Sequence, residues 1–410
     1  MSAPQIVIVG AGEAGVHAAV ALREAGWQDG ISLLSDEGRT PYERPPLSKA
    51  VMLEPGEACL PRMGLAARLD VLNIELRNST RILGIDCTAQ TVQCEDGQTL
   101  GYHKLLLATG ARARRLNGVG GEHALTLRSY EDALAIRAQL KKGQRVVIIG
   151  GGFIGLELAA SACQLGCIVT VLEAAPRILM RGVPAEIAGE IARTHRARGV
   201  DLRTGVTIEA LHPLPNDHAI ALGDGEFISA DCIIAGIGAA PETTVAQLAG
   251  LALDNGIAAD ASLRTSDPHI YAAGDCCSFP HPLYNGRRIR LEAWRNAQAQ
   301  GTHAAKAMLG ASEAYAEIPW FWTDQFDLHL QIAGLCDAGC STVTRELGEG
   351  ATLTFHLDAT GRLVAATGLG PMPKVGRDVR LAEMMIAKSI KPAPAALASP
   401  DTSLKSLLRS

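Results

Sequence analysis

A chain of 410 residues exceeds what one hydrophobic core supports, since single cores stop growing near roughly 250 to 300 residues, so two or three packed domains are expected. Apolar residues make up 47% and charged residues 20%, with a net charge of -5, a balance that argues against a disordered chain and offers no basic surface for nucleic acid. The start, MSAPQIVIVGAGEAG, has no basic stretch before its short apolar run, and no segment approaches the roughly 20 uninterrupted apolar residues of a membrane span; no signal peptide and no membrane contact are expected, and the cytoplasm is the expected compartment.

The first predicted strand, residues 5–10, is QIVIVG, and it leads directly into Gly10-Ala11-Gly12-Glu13-Ala14-Gly15 and the helical pattern AVALREAGW. Gly10 permits a tight turn, Gly12 lets the backbone approach a pyrophosphate, and Gly15 allows close helix–strand packing, while the helix N-terminus supplies free N–H groups and a positive dipole end. The next strand, ISLLSDE, is expected to end at Asp36, 21 residues beyond Gly15, where an acid accepts hydrogen bonds from an adenosine ribose. Glu13 departs from this logic, because an acid so close to a pyrophosphate is unfavourable unless it points to solvent. Residues 37–58 contain no cysteine, so no redox thiol is expected after this first unit. A hydrophobic strand, KLLLATGARAR, then ends in Ala108-Thr109-Gly110.

The same device returns at RVVIIGGGFIGLELAASACQLGCIVTVLE, with Gly150, Gly152 and Gly155 opening a helix and Glu173 ending the next strand 18 residues later. Two full strand–turn–helix–strand–acid units imply two bound dinucleotides. A carboxylate at Glu173 repels a 2′-phosphate, which favours NADH over NADPH, although Arg177 and Arg181 nearby leave room for both. DCIIAGIGAAPET repeats the strand-and-glycine design, with Gly236, Ile237 and Gly238 at its turn. LRTSDPHIYAAGDCCSF places Gly274 and Asp275 after a short strand, where the carboxylate can hold a ribityl hydroxyl of FAD; taken alone, such a pair is more often only a turn. The ten cysteines (59, 87, 94, 163, 167, 232, 276, 277, 336, 340) show neither disulfide-framework nor zinc spacing, the pairs 163/167 and 336/340 included, so no metal site is expected.

The order GxGxxG, ATG, GxGxxG, GIG, GD resembles that of the two-dinucleotide-binding-domain flavoproteins, over nearly the whole chain. The resemblance implies an α/β fold: two Rossmann-like domains of glutathione-reductase type and a smaller α+β C-terminal domain. It divides the chain into a first FAD segment at 1–110, an NAD domain at 111–241, a second FAD segment at 242–314 and a C-terminal domain at 315–410. Disulfide reductases of this superfamily carry a redox cysteine pair after the first unit, and the peroxidase and oxidase branch a single one; with neither present, electrons are expected to pass directly from flavin to an outside acceptor.

Pro41-Tyr42-Glu43-Arg44-Pro45-Pro46-Leu47-Ser48-Lys49 resembles the PYxRPPLSK stretch of the ferredoxin reductases that serve bacterial oxygenases. By that resemblance Arg44 and Lys49 contact FAD, with Lys49 at the reactive edge of the isoalloxazine and paired to Glu157 of the second glycine-turn helix. A lysine ammonium there stabilises the charge of the reduced flavin, while Glu157 offsets it and helps position the nicotinamide. The bland alternative is a surface pair on a proline-rich turn. The resemblance further assigns Ala14, Ile82, Arg128, Glu292, Trp294 and Trp322 to the FAD site, and Ile154, Ile237 and Gly238 to NAD.

IPWFWTDQFDLHLQIAGL resembles the PWFWSDQ element of the same reductases, near their flavin and ferredoxin-docking face. Trp322 is accordingly a candidate for the electron exit, the alternative being a core aromatic. From Pro371 onward the chain holds seven Lys or Arg against three Asp or Glu, which suits an acidic [2Fe-2S] ferredoxin; a solvated helical surface is the other reading. The implied activity is NADH oxidation through FAD, with two single-electron transfers to ferredoxin and indirect supply of a terminal oxygenase. The rivals are a rubredoxin or monodehydroascorbate reductase and, from a different class, a flavin-binding signalling protein of the apoptosis-inducing type.

Overall fold

Short β-branched strands alternating with glycine-turn helices build two all-parallel sheets, one in each of two compact units. The computed structural model describes residues 5–54, 60–215, 217–371 and 374–409. Cys59 lies outside these, and the nine described cysteines are all free thiols. Unit 1 comprises Met1–Glu43, Pro61–Arg112 and Ala240–Pro319; unit 2 comprises Arg44–Leu60, Ala113–Ala239 and Trp320–Ser410. Residues 44–60, counted above with the first FAD segment, thus group with the second unit.

In unit 1 the sheet order is Ile270–Ala272, Lys104–Leu107, Gln5–Val9, Gly30–Leu34, Glu75–Arg77, every pair parallel. Ile6, Val7 and Ile8 are fully buried, as expected for a parallel strand covered on both faces. Helices Glu13–Glu24 and Trp294–Met308 pack so tightly that a Cβ on Gly301 would lie 2.1 Å from the carbonyl oxygen of Ala14. A three-stranded antiparallel sheet, Ile82–Asp86, Thr91–Cys94 and Thr99–Gly101, belongs to the same unit.

In unit 2 the parallel sheet runs Asp201–Thr204, Ile168–Glu173, Arg145–Ile149, Cys232–Ala235. Its core joins Val147, Ile149, Leu172 and Ile233 to Leu211, Ile220 and Leu222 from a neighbouring antiparallel sheet. The C-terminal part folds as an antiparallel five-stranded sheet in the order Trp320–Gln325, Leu328–Gly334, Leu363–Gly370, Ala351–Leu357, Ser341–Gly348, followed by helix Gly376–Ala387. Buried Arg345 ties the last residues to this sheet by donating to the carbonyls of Leu397, Ala396 and Thr402 at 2.6, 2.8 and 3.0 Å. Among the described residues no helix is long and apolar enough to cross a membrane.

Candidate active site

In unit 1 the first glycine turn is built by close backbone approach. Gly10 has φ +110°, and a Cβ there would sit 2.2 Å from the carbonyl oxygen of Ala108; one on Gly15 would sit 1.9 Å from the carbonyl oxygen of Gly10. At Gly12 a Cβ would meet no protein atom within 4 Å, and the helix beginning at Glu13 has no side-chain cap. Open space in front of uncapped N–H groups fits a pyrophosphate that needs the backbone bare. Around this turn lie buried Ala108, Thr109, whose Oγ1 donates to Glu242 O at 2.6 Å, and Gly110, whose carbonyl accepts from Glu242 N at 2.9 Å. Gly274 N donates to Gln300 Oε1 at 2.8 Å, with half-buried Asp275 next to it. Ile82 is buried at the start of its strand, and exposed Glu292 pairs with Arg290 at 2.6 Å.

Two expectations for this turn change. The strand ends at Leu34, and its pairing with Val9 matches that of Leu172 with Ile149, so Ser35 stands at the position of Glu173 while Asp36 follows one residue later, exposed. Glu13 does not point to solvent: its side chain is 10% exposed, and it accepts from Trp294 Nε1 at 2.6 Å and Gln298 Nε2 at 3.2 Å, with His17 at 3.5 Å. The indole N–H and amide satisfy the carboxylate inside the protein. Burial and the nearby Glu13 together push the Glu43 carboxyl above its ordinary range.

In unit 2 the second turn repeats the geometry. Gly150 has φ +109°, with a Cβ position 2.4 Å from Gly236 O, and a Cβ on Gly155 would lie 2.1 Å from Gly150 O; at Gly152 the nearest atom would be 3.8 Å away. Glu173 accepts from Gly151 N and Ala175 N, both at 2.7 Å. Arg177, a possible partner for a 2′-phosphate, instead spends its guanidinium on the carbonyls of Ile178, Leu179 and Val183, all at 3.1 Å. Arg181 lies beside Gly238, with its Nη2 3.1 Å from where a Cβ would be, and Ile154 is 44% exposed at the helix start. Ile237 packs partly buried against the unit's core.

The second helix also carries Glu157, 5% exposed, and here three segments of unit 2 converge: the Ser48–Lys49 stretch, this helix and the strand Trp320–Gln325. Lys49 Nζ lies 2.8 Å from Glu157 Oε1; Ser48 Oγ donates to Oε2 at 2.5 Å and Thr323 Oγ1 to Oε1 at 2.6 Å. Lys49 Nζ also sits 3.9 Å from Asp324 Oδ2 and 5.7 Å from the Trp322 ring centroid. Trp322 stacks on Trp320, centroids 5.4 Å apart at 27°, and Phe321 packs on Phe153 at 4.2 Å. Trp322 is half-buried, not core. Arg44 Nη1 donates to Arg128 O at 2.7 Å, just before the capping box of Ser129 and Asp132. Ser48, Thr323 and Asp324 were quoted in sequence motifs without a role; only the fold shows them around Lys49 and Glu157. No cluster of metal-ligating side chains occurs among the described residues.

The family model described as pyridine nucleotide-disulphide oxidoreductase matches residues 4–301, and one described as reductase C-terminal matches residues 320–408. The chain belongs to the pyridine nucleotide-disulphide oxidoreductase family. Like other members it is an FAD-dependent oxidoreductase that uses NAD(H), and both glycine turns have the bare backbone these dinucleotides need. It is 42% identical to the ferredoxin–NAD(+) reductase component of the anthranilate 1,2-dioxygenase system of Burkholderia cepacia, over 100% of both chains. It is also 42% identical to a rubredoxin–NAD(+) reductase of Pseudomonas putida, covering 80% of this chain and 86% of that protein. Among solved structures, a covalent putidaredoxin reductase–putidaredoxin complex matches with a TM-score of 0.92 and 34% identity, covering 99% of this chain and 98% of that one.

Proposed function

We propose that this oxidoreductase carries electrons from NADH to a [2Fe-2S] ferredoxin that supplies a bacterial oxygenase, either an aromatic-ring dioxygenase or a haem monooxygenase, in the cytoplasm. The observation that carries this reading is the end-to-end match to a dioxygenase-system reductase, joined to the Lys49–Glu157 pair on the PYERPPLSK segment. FAD, when bound, takes up a hydride equivalent from NADH and returns the electrons singly.

The chain's own residues position and neutralise. In unit 1, Gly10, Gly12, Ala14, Gly15, Asp36, Ile82, Ala108, Thr109, Gly110, Gly274, Asp275, Glu292 and Trp294 hold FAD. Gly150, Gly152, Ile154, Gly155, Glu173, Ile237 and Gly238 hold NAD. Lys49 offers its ammonium to the charge of the reduced flavin, and Glu157, with Ser48 and Thr323 as donors, fixes that ammonium and the nicotinamide. Glu173 and the committed Arg177 favour NADH. Exposed Arg377, Lys388, Lys391, Lys405 and Arg409 offer a positive face to an acidic ferredoxin; Lys374 and Arg380 are partly neutralised by Glu349 at 3.0 Å and Glu383 at 2.7 Å.

The 42% identity to a rubredoxin reductase supports a second reading with rubredoxin as acceptor. Stopped-flow reduction by NADH, followed by mixing with a [2Fe-2S] ferredoxin, rubredoxin or monodehydroascorbate, separates the two. Rapid ferredoxin reduction that slows as ionic strength rises, while ferricyanide reduction changes less, is the expected result. Transfer to rubredoxin alone would reassign the acceptor.

A further inference from the structure

The strand Trp320–Gln325 is an edge strand, and its two faces serve different groups within unit 2. Side chains alternate across a strand, so Thr323 and Asp324 point to opposite faces. Thr323 reaches Glu157; Asp324, paired in register with His329 on the next strand, is hydrogen-bonded to His329 Nδ1. Gln331 Nε2 continues the chain at 2.6 Å from His329 Nε2. Lys49 reaches both faces, 2.8 Å from Glu157 and 3.9 Å from Asp324. Burial alone would push the Asp324 carboxyl up, but the hydrogen bond and charge of His329, with the charge of Lys49, hold it below the usual carboxylate range.

We propose that Asp324 and His329 form a positioning dyad behind Lys49 that sets the net charge of the nicotinamide pocket and so discriminates the reduced from the oxidised dinucleotide. This rests on the reading that Glu157 and Lys49 flank the nicotinamide. With His329 protonated, Lys49 and His329 balance Glu157 and Asp324. With His329 neutral, the cluster carries one net negative charge. The nicotinamide ring is neutral in NADH and positive in NAD⁺, so the protonated dyad favours NADH and the neutral dyad holds the oxidised product. The other strand neighbour of His329 is Gly370, which brings no charge. On the same face the helix Gly376–Ala387 packs over Gly368 and Gln331. Its charged residues are Arg377, Asp378, Arg380 and Glu383, of which Arg380 and Glu383 pair at 2.7 Å.

The test is equilibrium titration of the FAD-loaded enzyme with NAD⁺ and with 1,4,5,6-tetrahydro-NAD, whose neutral ring donates no hydride. At one fixed pH, His329→Lys, which keeps a fixed positive charge, should show a ratio of dissociation constants, NAD⁺ over the neutral analogue, roughly fivefold higher than His329→Gln, which carries none; that is the effect of one unit charge over roughly 10 Å at an effective dielectric of about 35. Equal ratios in the two variants overturn the dyad. Glu157→Gln then locates the failure: a raised ratio keeps the nicotinamide at this pair and rejects only the dyad, whereas an unchanged ratio rejects the placement as well.

Discussion

The two glycine turns correspond residue for residue at an offset of 140 positions, yet what surrounds them differs in kind. Gly10, Gly12 and Gly15 match Gly150, Gly152 and Gly155 in φ, in close approach and in the bare space beside the middle glycine. Position 13 is a satisfied carboxylate bound by Trp294, while position 153 is a phenylalanine packed at a tilt against Phe321. His17 makes a local i, i+4 contact with Glu13, while Glu157 gathers Lys49, Ser48 and Thr323. The backbone turn is thus the same in both units, and the difference lies in the helix residues one and two turns on: Glu13 and His17 stay within their own packing, while Glu157 holds Lys49.

The largest effect should come from separating the matched positions 17 and 157. Replacing Glu157 by Leu strips Lys49 of its close carboxylate and should slow flavin reduction by NADH roughly 10²-fold, whereas His17→Met should stay within about twofold; rapid-mixing absorbance at the flavin band measures both. Equal losses would mean that the two helices are functionally interchangeable. Next comes a pair of middle-glycine changes. Each added Val meets little protein, so both variants should fold, but Gly12→Val should emerge with FAD affinity lowered by about 10² or more, and Gly152→Val should retain FAD and raise KM for NADH by about tenfold or more. Flavin content per chain and steady-state kinetics would expose any exchange of these roles.

A smaller effect is expected at the acids. Glu173→Ala should cut the preference for NADH over NADPH by about tenfold in kcat/KM, while Asp36→Ala should leave that preference alone and weaken only FAD retention. Smallest of all, Glu13→Leu should cost about 1–2 kcal/mol in thermal or denaturant unfolding, because Trp294 Nε1 and Gln298 lose their acceptor, and Glu13→Gln should recover much of it. A neutral Glu13→Leu would show that the indole hydrogen bond adds nothing.

Much of the fold was legible because its signals are local. Strand, glycine turn and helix follow one another within about 20 residues, so Gly10–Gly15 and Gly150–Gly155 announce themselves as motifs, even though the carbonyls that bar a Cβ at Gly10 and Gly150 belong to distant Ala108 and Gly236. The acids were legible only in part: Glu173 stands at its strand end as read, but Asp36 falls one residue past the matching register position, since strand ends depend on pairing with a neighbour. Glu13 was misread because the groups that satisfy it, Trp294 and Gln298, lie 281 and 285 residues away.

The sequence by itself determined the two parallel-sheet units, their glycine cradles and the pairing of Lys49 with Glu157 through motif resemblance. Only the tertiary structure decided what completes that pair. Ser48 and Thr323 reach Glu157 across 109 and 166 residues of chain, and Asp324 meets His329 because a two-residue turn sets the register of an edge strand. Such contacts are matters of register and packing, and a buried carboxylate selects its donors from whatever side chains the fold brings within hydrogen-bond distance, wherever they lie in the chain.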